Sequence, residues 1–374
     1  MQAGAEQQRT LWFDYDQGSL KVIDQTQLPF DCSVLTLKTL AEAADAIVSM
    51  KVRGAPLIGI TAAFGVYLSL RSDANSLDFA CDHLIKTRPT AVNLRWALTR
   101  MHSTLEQVAG PLRAQHALLL AQQLLDEDSA ACSAIGEHGL KLLQGIFQQK
   151  QAQQGAGAVL NVLTHCNAGW LATGAWGTAL APVYKAKLAG LPVHVWVDET
   201  RPRNQGASLT AWELGRSQIA HTLVVDNAGG HLMQHGLVDV CLVGSDRTTA
   251  SGDVCNKIGT YLKALAAHDN GIPFYAALPL STVDFSSFDG IREIPIEERS
   301  ADEVTHVQGR DREGIIRQVQ VSTPGTPVSN FGFDVTPARL VTGIITELGV
   351  FPATSAGLSS LRALSPEASS GVDH

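Results

Sequence analysis

The chain has no C-x-x-C pair, no long uninterrupted apolar run and no Lys/Arg-rich stretch, and each absence removes a class of protein. Its six cysteines (Cys32, Cys81, Cys132, Cys166, Cys241 and Cys255) are dispersed, which suits reduced thiols in a cytosolic protein rather than a disulfide scaffold. No apolar run reaches about 18 residues, so a membrane span is not expected. The opening MQAGAEQQRT lacks a charged segment followed by an apolar one, so the expected location is cytoplasmic. Lys and Arg number 28 against 36 Asp and Glu, a formal net charge of −8, and nucleic acid is not an expected partner. An anionic small molecule stays open, because a phosphate site needs only a few local cations and backbone N–H groups. No Walker loop is present. The single G-x-G, Gly155–Gly157, precedes a strand pattern instead of following one, so a nicotinamide cofactor gets little support. His165 and Cys166 are adjacent and no second ligand pair has suitable spacing, so no metal is expected.

What is present is ordinary globular material: 374 residues, 45% hydrophobic, enough for two domains sharing one large core. Leu11–Tyr15 and Leu20–Asp24 flank Asp16-Gln17-Gly18 and read as a hairpin. From Leu37 to about Gly145 the apolar spacing is helical. Gln148–Ala158 is low in complexity and reads as a loop. From Val159 short apolar runs alternate with helical stretches, the rhythm of βα units, with candidate strands at Val159–Thr164, Val193–Val197, Thr222–Val225, Val238–Val243 and Phe274–Ala277. The expected architecture is α/β. A mainly helical N-terminal domain with a small β-hairpin (1–150) precedes a Rossmann-like parallel sheet (151–352) and a flexible tail (353–374). The polar stretch Ile291–Pro327 reads as an irregular excursion or a partner contact.

Polar residues gather where four of these strands should end. The ends are His165-Cys166-Asn167, then Asp198, Glu199, Arg201 and Gln205, then Asp226-Asn227, and finally Asp246, Arg247, Asn256 and Lys257. In open α/β sheets ligands bind outside the carboxyl ends of the strands, so adjacent polar ends imply a pocket. Cys166 reads either as a buried small hydrophobe or as a thiol whose pKa is lowered at a helix N-terminus. Asp246 reads either as a partly desolvated acid or as a cap or ion pair with Arg247. Asp226 reads more as a helix cap. GSDRTTASGDVCNK, with Gly244, Gly252 and Gly259 before a helix, could present N–H groups to a phosphate. Lys257 there is a phosphate contact or a solvated lysine. Arg53-Gly54-Ala55 and Arg88 stand before helix starts, where an arginine fork and the helix dipole favour an anion or merely cap the helix.

Taken together, RGAPLIG, TRPTAVNL, HCNAGWLATG, ETRPRNQGASLTAWEL, VGSDRTTASGDVCNKIGTY, IPFYAALPLSTVD and FDVTPARLVTGIITELGV resemble the methylthioribose-1-phosphate isomerase family of methionine salvage, in order over about residues 10–351. The resemblance implies a catalytic pair, Cys166 and Asp246, and substrate contacts at Arg53, Gly54, Ala55, Arg88, Gln205, Asn256 and Lys257. It implies a sugar-phosphate substrate, no cofactor and a homodimer. In the implied reaction protonated Asp246 assists ring opening. Cys166, as thiolate, shuttles the C2 proton through a cis-enediolate, or a hydride moves from C2 to C1 with the thiol holding geometry. Ala168, Trp170 and Ser208 depart from the family's usual residues, and Trp170 hints at an apolar pocket wall. Two relatives remain as alternatives: an isomerase of ribose 1,5-bisphosphate, and the non-catalytic regulatory subunits of a translation-initiation exchange factor.

Overall fold

The computed structural model describes residues 9–365. Three antiparallel strands come first: β1 (Leu11–Asp14), β2 (Ser19–Ile23) and β3 (Val34–Leu37). The first two are the expected hairpin; β3, four residues with little alternation, carries too weak a pattern to read. Five helices follow, α1 (Leu40–Val48), α2 (Ala55–Ser72), α3 (Leu77–Ile85), α4 (Val92–Leu105) and α5 (Gly110–Gln154). Thr39 and Glu42 close a capping box on α1, which fixes where it starts. α2 is apolar all round and has the length and composition of a membrane span, which a search for uninterrupted apolar runs missed because Thr61, Ser69, Arg71 and Ser72 dilute it. In this fold it is the core helix, packed against α1, α3, α4 and α5.

α5 corrects two expectations. Its 45 residues run through 148–154, where a loop was expected, because QQKQAQQ is made of strong helix formers. Gly155, at φ 81°, ends it. Position 150, the expected domain boundary, therefore lies inside a helix. Leu120 and Leu124 on its first half belong to the N-terminal core, while Cys132, Ile135 and Leu143 belong to the core of the main sheet. Gly139 lets α5 approach α6 (Ala181–Leu188), since a Cβ there would stand 2.2 Å from Pro182 Cγ. Gly139→Ala is expected to cost about 1–3 kcal/mol through overpacking, read as a lowered Tm.

The main sheet uses β4 (Leu160–Thr164), β5 (Val193–Asp198), β6 (Ala220–Val224), β7 (Val240–Val243), β10 (Phe274–Ala277), β15 (Gly343–Thr346) and β16 (Gly349–Phe351). All five expected strands are there. The sheet runs β6-β5-β4-β7-β10-β15, all parallel, with β16 antiparallel at the edge. In chain sequence that order is 3-2-1-4-5-6, the doubly wound arrangement whose switch point falls between β4 and β7. Helices α6, α7 (Ala211–Arg216), α8 (Ala228–Gln234), α9 (Thr260–Asp269) and α12 (Ser355–Ala363) accompany the sheet. α12 corrects the expected tail: Thr354 caps it and Leu358 and Leu361 are buried, while 366–374 lie outside the described residues.

A second sheet, β11 (Val283–Asp284), β8 (Arg247–Thr249), β9 (Val254–Lys257) and β14 (Phe333–Thr336), covers the carboxyl end of β7. The excursion after Ile291 holds α10 (Gly290–Glu293), α11 (Asp302–Thr305) and the hairpin of β12 (His306–Arg310) and β13 (Ile316–Gln320).

Candidate active site

The switch point places the end of β4 beside the end of β7, and so brings Cys166 and Asp246 into one crevice. Cys166 sits two residues past β4 at φ 68°, a left-handed conformation that costs a non-glycine residue about 1–3 kcal/mol. Two threonines hold it there: its N–H donates to Thr200 Oγ1 (2.8 Å), and its carbonyl accepts from Thr210 Oγ1 (2.7 Å). The thiol donates to Gln205 Oε1 at 3.5 Å. Burial pushes the Cys166 thiol up, opposed by the cations Arg53 and Lys257 and reinforced by Asp246. The expected helix N-terminus is not behind it. Only a 3-10 turn, Trp170–Ala172, follows, and the next α-helix starts at Ala181. Of the two sequence readings of Cys166, the thiol lowered by a helix N-terminus therefore loses its physical basis.

Asp246 is half-buried and hydrogen-bonds through its backbone N–H to Cys255 O (2.9 Å). Its carboxyl group makes no ion pair among the described residues; Arg247 turns away to Asp284 (3.6 Å) and Thr90 O (3.0 Å). Burial raises the Asp246 pKa, against the pull of Lys257, Arg53 and Arg88, with Glu297 adding to the rise. GSDRTTASGDVCNK is the β8–β9 hairpin instead of a phosphate loop. The N-terminus of α9 after it is already taken, because Asp334 accepts from the N–H groups of Gly259 (2.7 Å) and Tyr261 (3.1 Å). The hairpin instead folds Asn256 and Lys257 back beside Asp246. Lys257 is buried, stands over the Phe333 ring at 4.7 Å and forms no ion pair among the described residues. Burial lowers its pKa, while Cys166 and Asp246 favour its charge. Asn256 Nδ2 donates to Thr260 Oγ1 (3.1 Å).

The helical domain supplies the remaining cations. Gly54, at φ 95°, begins α2, whose first N–H groups have no side-chain cap. A Cβ at Gly54 would meet the backbone of Ala172 at 2.5 Å, so only glycine brings this helix start against the turn after β4. Arg53 is buried and spans the two halves, donating to Asn167 Oδ1 (2.5 Å) and Asn167 O (2.7 Å). Arg88 donates to Glu297 Oε2 (2.7 Å) and to Met50 Sδ (3.3 Å). Glu297 belongs to the excursion, which packs on the site of its own chain. Arg299 pairs with both Glu297 and Glu303 at 2.7 Å, and Glu303 with Arg203 at 2.9 Å.

Of the expected site residues, Cys166, Asp246, Arg53, Arg88, Gln205 and Lys257 act on one another across this crevice, and Gly54, Ala55 and Asn256 adjoin them in the chain. Two residues take other roles than the sequence pattern suggests. Asp226 accepts from Thr200 N–H (2.7 Å) and Arg201 N–H (2.8 Å), tying down the turn after β5 in place of capping α8. Trp170 is a core residue, 5.7 Å from the Trp212 ring, and not a pocket wall. His165, Asp198 and Asp226 stand close enough to share a metal; most of their donor atoms are hydrogen-bonded within the protein, while Asp198 Oδ1 is buried without a partner among the described residues. Asp198 Oδ2 receives His165 Nδ1 (2.9 Å) and Lys263 Nζ (3.2 Å), and His165 Nε2 lies 2.8 Å from Ile258 O. No local pattern marks Thr200, Thr210 or Glu213 as supports. A cavity of about 200 Å³ opens beside Arg53 and Gln205, its lining mostly polar, with Arg203, Asp302, Glu303 and His306 alongside Leu28, Phe30 and Met50.

A parallel doubly wound sheet with an acid, a thiol and buried cations at its switch point is the arrangement of an α/β enzyme. Residues 51–353 match the Initiation factor 2 subunit family. The methylthioribose-1-phosphate isomerase of Methylorubrum extorquens is 60% identical over 355 residues, 94% of this chain and 96% of that protein. The 5-methylthioribose 1-phosphate isomerase of Pyrococcus horikoshii superposes with TM-score 0.81 at 37% identity, covering 96% of each chain. The delta subunit of translation initiation factor eIF-2B from A. fulgidus superposes with TM-score 0.75 at 36% identity, covering 92% of this chain and 96% of that one. The chain belongs to the Initiation factor 2 subunit family and, within it, to the methylthioribose-1-phosphate isomerases. It is an aldose–ketose isomerase.

Proposed function

We propose that the crevice between β4 and β7 converts cyclic 5-methylthioribose 1-phosphate into 5-methylthioribulose 1-phosphate, in a cytoplasmic homodimer. The observation that carries this reading is Asp246: a half-buried carboxyl without an ion pair, its pKa raised, beside a buried thiol and three cations. The anomeric oxygen carries phosphate, so the ring cannot open as a free hemiacetal. It needs a proton at the ring oxygen, and a carboxyl whose pKa is raised by burial is the better donor of one. Arg53, Arg88 and the uncapped start of α2 hold the phosphate. Gln205, Asn256 and Lys257 orient the hydroxyls.

Two routes finish the reaction. In the proton route Cys166 is a thiolate that takes the C2 hydrogen as a proton and returns it at C1. In the hydride route ring opening leaves C1 electron-poor, the hydrogen moves from C2 to C1 with its electron pair, and the Asp246 carboxylate recovers a proton from the C2 hydroxyl. Electrons and protons balance in both. The hydride route is favoured by a thiol that donates to Gln205 and whose pKa burial raises.

A coupled assay with 5-methylthioribose 1-phosphate, with ribose 1,5-bisphosphate in parallel, tests the substrate; no ketose product from the former overturns the proposal. The pH dependence of kcat separates the routes. On the hydride route both groups work protonated, so kcat falls as pH rises through the raised Asp246 pKa, and no solvent deuterium enters at C1. A limb that climbs toward the pKa of the thiol and is lost in Cys166→Ser would instead support the thiolate.

A further inference from the structure

Glu213, on α7, is fully buried and makes no ion pair among the described residues, yet it is not part of the reaction described above. Four donors converge on it. Asn167 Nδ2 (2.8 Å) and Leu171 N–H (3.0 Å) reach Oε1, while Trp170 N–H (2.9 Å) and the Tyr184 hydroxyl (2.7 Å) reach Oε2. Removing a carboxylate from water without a counter-charge is costly, and hydrogen bonds to every side are what make it tolerable. Burial pushes the Glu213 carboxyl up, and these same four donors pull it back.

The amide of Asn167 connects this carboxylate to the substrate side. Its NH2 group donates to Glu213 and to Thr210 Oγ1 (3.1 Å), which leaves Oδ1 facing the Arg53 guanidinium. Turned over, the amide would set donor against donor at Arg53 and acceptor against acceptor at Glu213. We propose that Glu213 is a positioning residue for the isomerase reaction: by fixing the amide of Asn167 and the turn 169–172, it aims Arg53 at the substrate phosphate. This rests on the reading of Arg53 as a phosphate contact. It also explains why an acidic side chain belongs so near a site for an anion: Asn167 separates its charge from the phosphate while passing on its orientation.

Glutamine cannot replace Glu213 here. Placed toward Oε1, its NH2 group meets Leu171 N–H and the Asn167 amide; placed toward Oε2, it meets Trp170 N–H. The test is a cycle of Glu213→Gln and Arg53→Ala, with KM and kcat for 5-methylthioribose 1-phosphate measured on folded protein. The relay predicts that E213Q raises KM about tenfold or more while kcat falls less, and that E213Q adds no further rise in the R53A background. A purely structural glutamate would lower Tm and the yield of active enzyme and leave KM alone. If R53A raises KM but E213Q does not, or if E213Q raises it equally in both backgrounds, the relay is overturned and the phosphate reading stands. An unchanged KM in R53A alone overturns the phosphate reading and the relay with it. Should E213Q fail to fold, Asn167→Ala cuts the same connection, and a wild-type KM in that variant overturns the proposal.

Discussion

Asparagine at position 246 is expected to lower kcat by about two to four orders of magnitude, the contribution of a positioned acid, with little change in KM. The substitution keeps the shape of the side chain and removes the proton. It strands no partner among the described residues, where the Asp246 carboxyl forms no ion pair and the bond to Cys255 O comes from the backbone. Stability should move the other way. With its folded pKa raised, the carboxyl group binds more protons in the native state than in the unfolded one, so native stability falls as pH rises through the window between the ordinary carboxylate range and the raised value. Asparagine removes that loss. At pH 8 the variant should therefore melt no lower than wild type while being nearly inactive, and the two measurements together separate lost chemistry from lost fold. A variant that keeps more than about a tenth of kcat would remove Asp246 from the acid role.

The sequence made the sheet legible because each buried parallel strand is a short apolar run, and the βα rhythm fixes where each carboxyl end emerges. That is why Cys166, Gln205 and Asp246 could be placed at strand ends one by one. Their convergence depends on strand order, which no local pattern encodes; only the 3-2-1-4-5-6 arrangement sets β4 against β7. The errors have local causes. QQKQAQQ looked like a loop through its low complexity, although its helix propensity is high. The Gly-rich run after Asp246 looked like a phosphate loop, because a hairpin with turn residues and a loop before a helix share a composition. The thiol's environment was misjudged because desolvation is a property of the packed site. Glu213 was in view within AWEL, but a glutamate in a helical pattern reads as a surface residue until the donors around it are seen.

Lys257→Met should cost activity and gain stability. Methionine retains the apolar stem that lies against Phe333 and removes the charge. A charge-assisted contact to the substrate is worth about 1.5–3 kcal/mol, so kcat/KM should fall roughly ten- to 150-fold. The lost cation also acts on its neighbours. Lys257 is the strongest influence pulling Asp246 down against burial, so without it the carboxyl pKa rises further and the fall of kcat with pH moves to higher pH. A shift to lower pH, or none, would mean that Lys257 does not act on Asp246. For stability the sign is opposite to that of a salt-bridged lysine. Burial lowers its folded pKa, so at any pH below that depressed value the charged form disfavours the native state in full. That penalty fades only as pH rises through the depressed value toward the ordinary lysine range. Methionine carries no such penalty, and Tm at pH 7 should rise as activity falls. A buried cation that makes the protein less stable is accounted for here by the substrate: on the proposed function, Lys257 meets an anionic sugar phosphate.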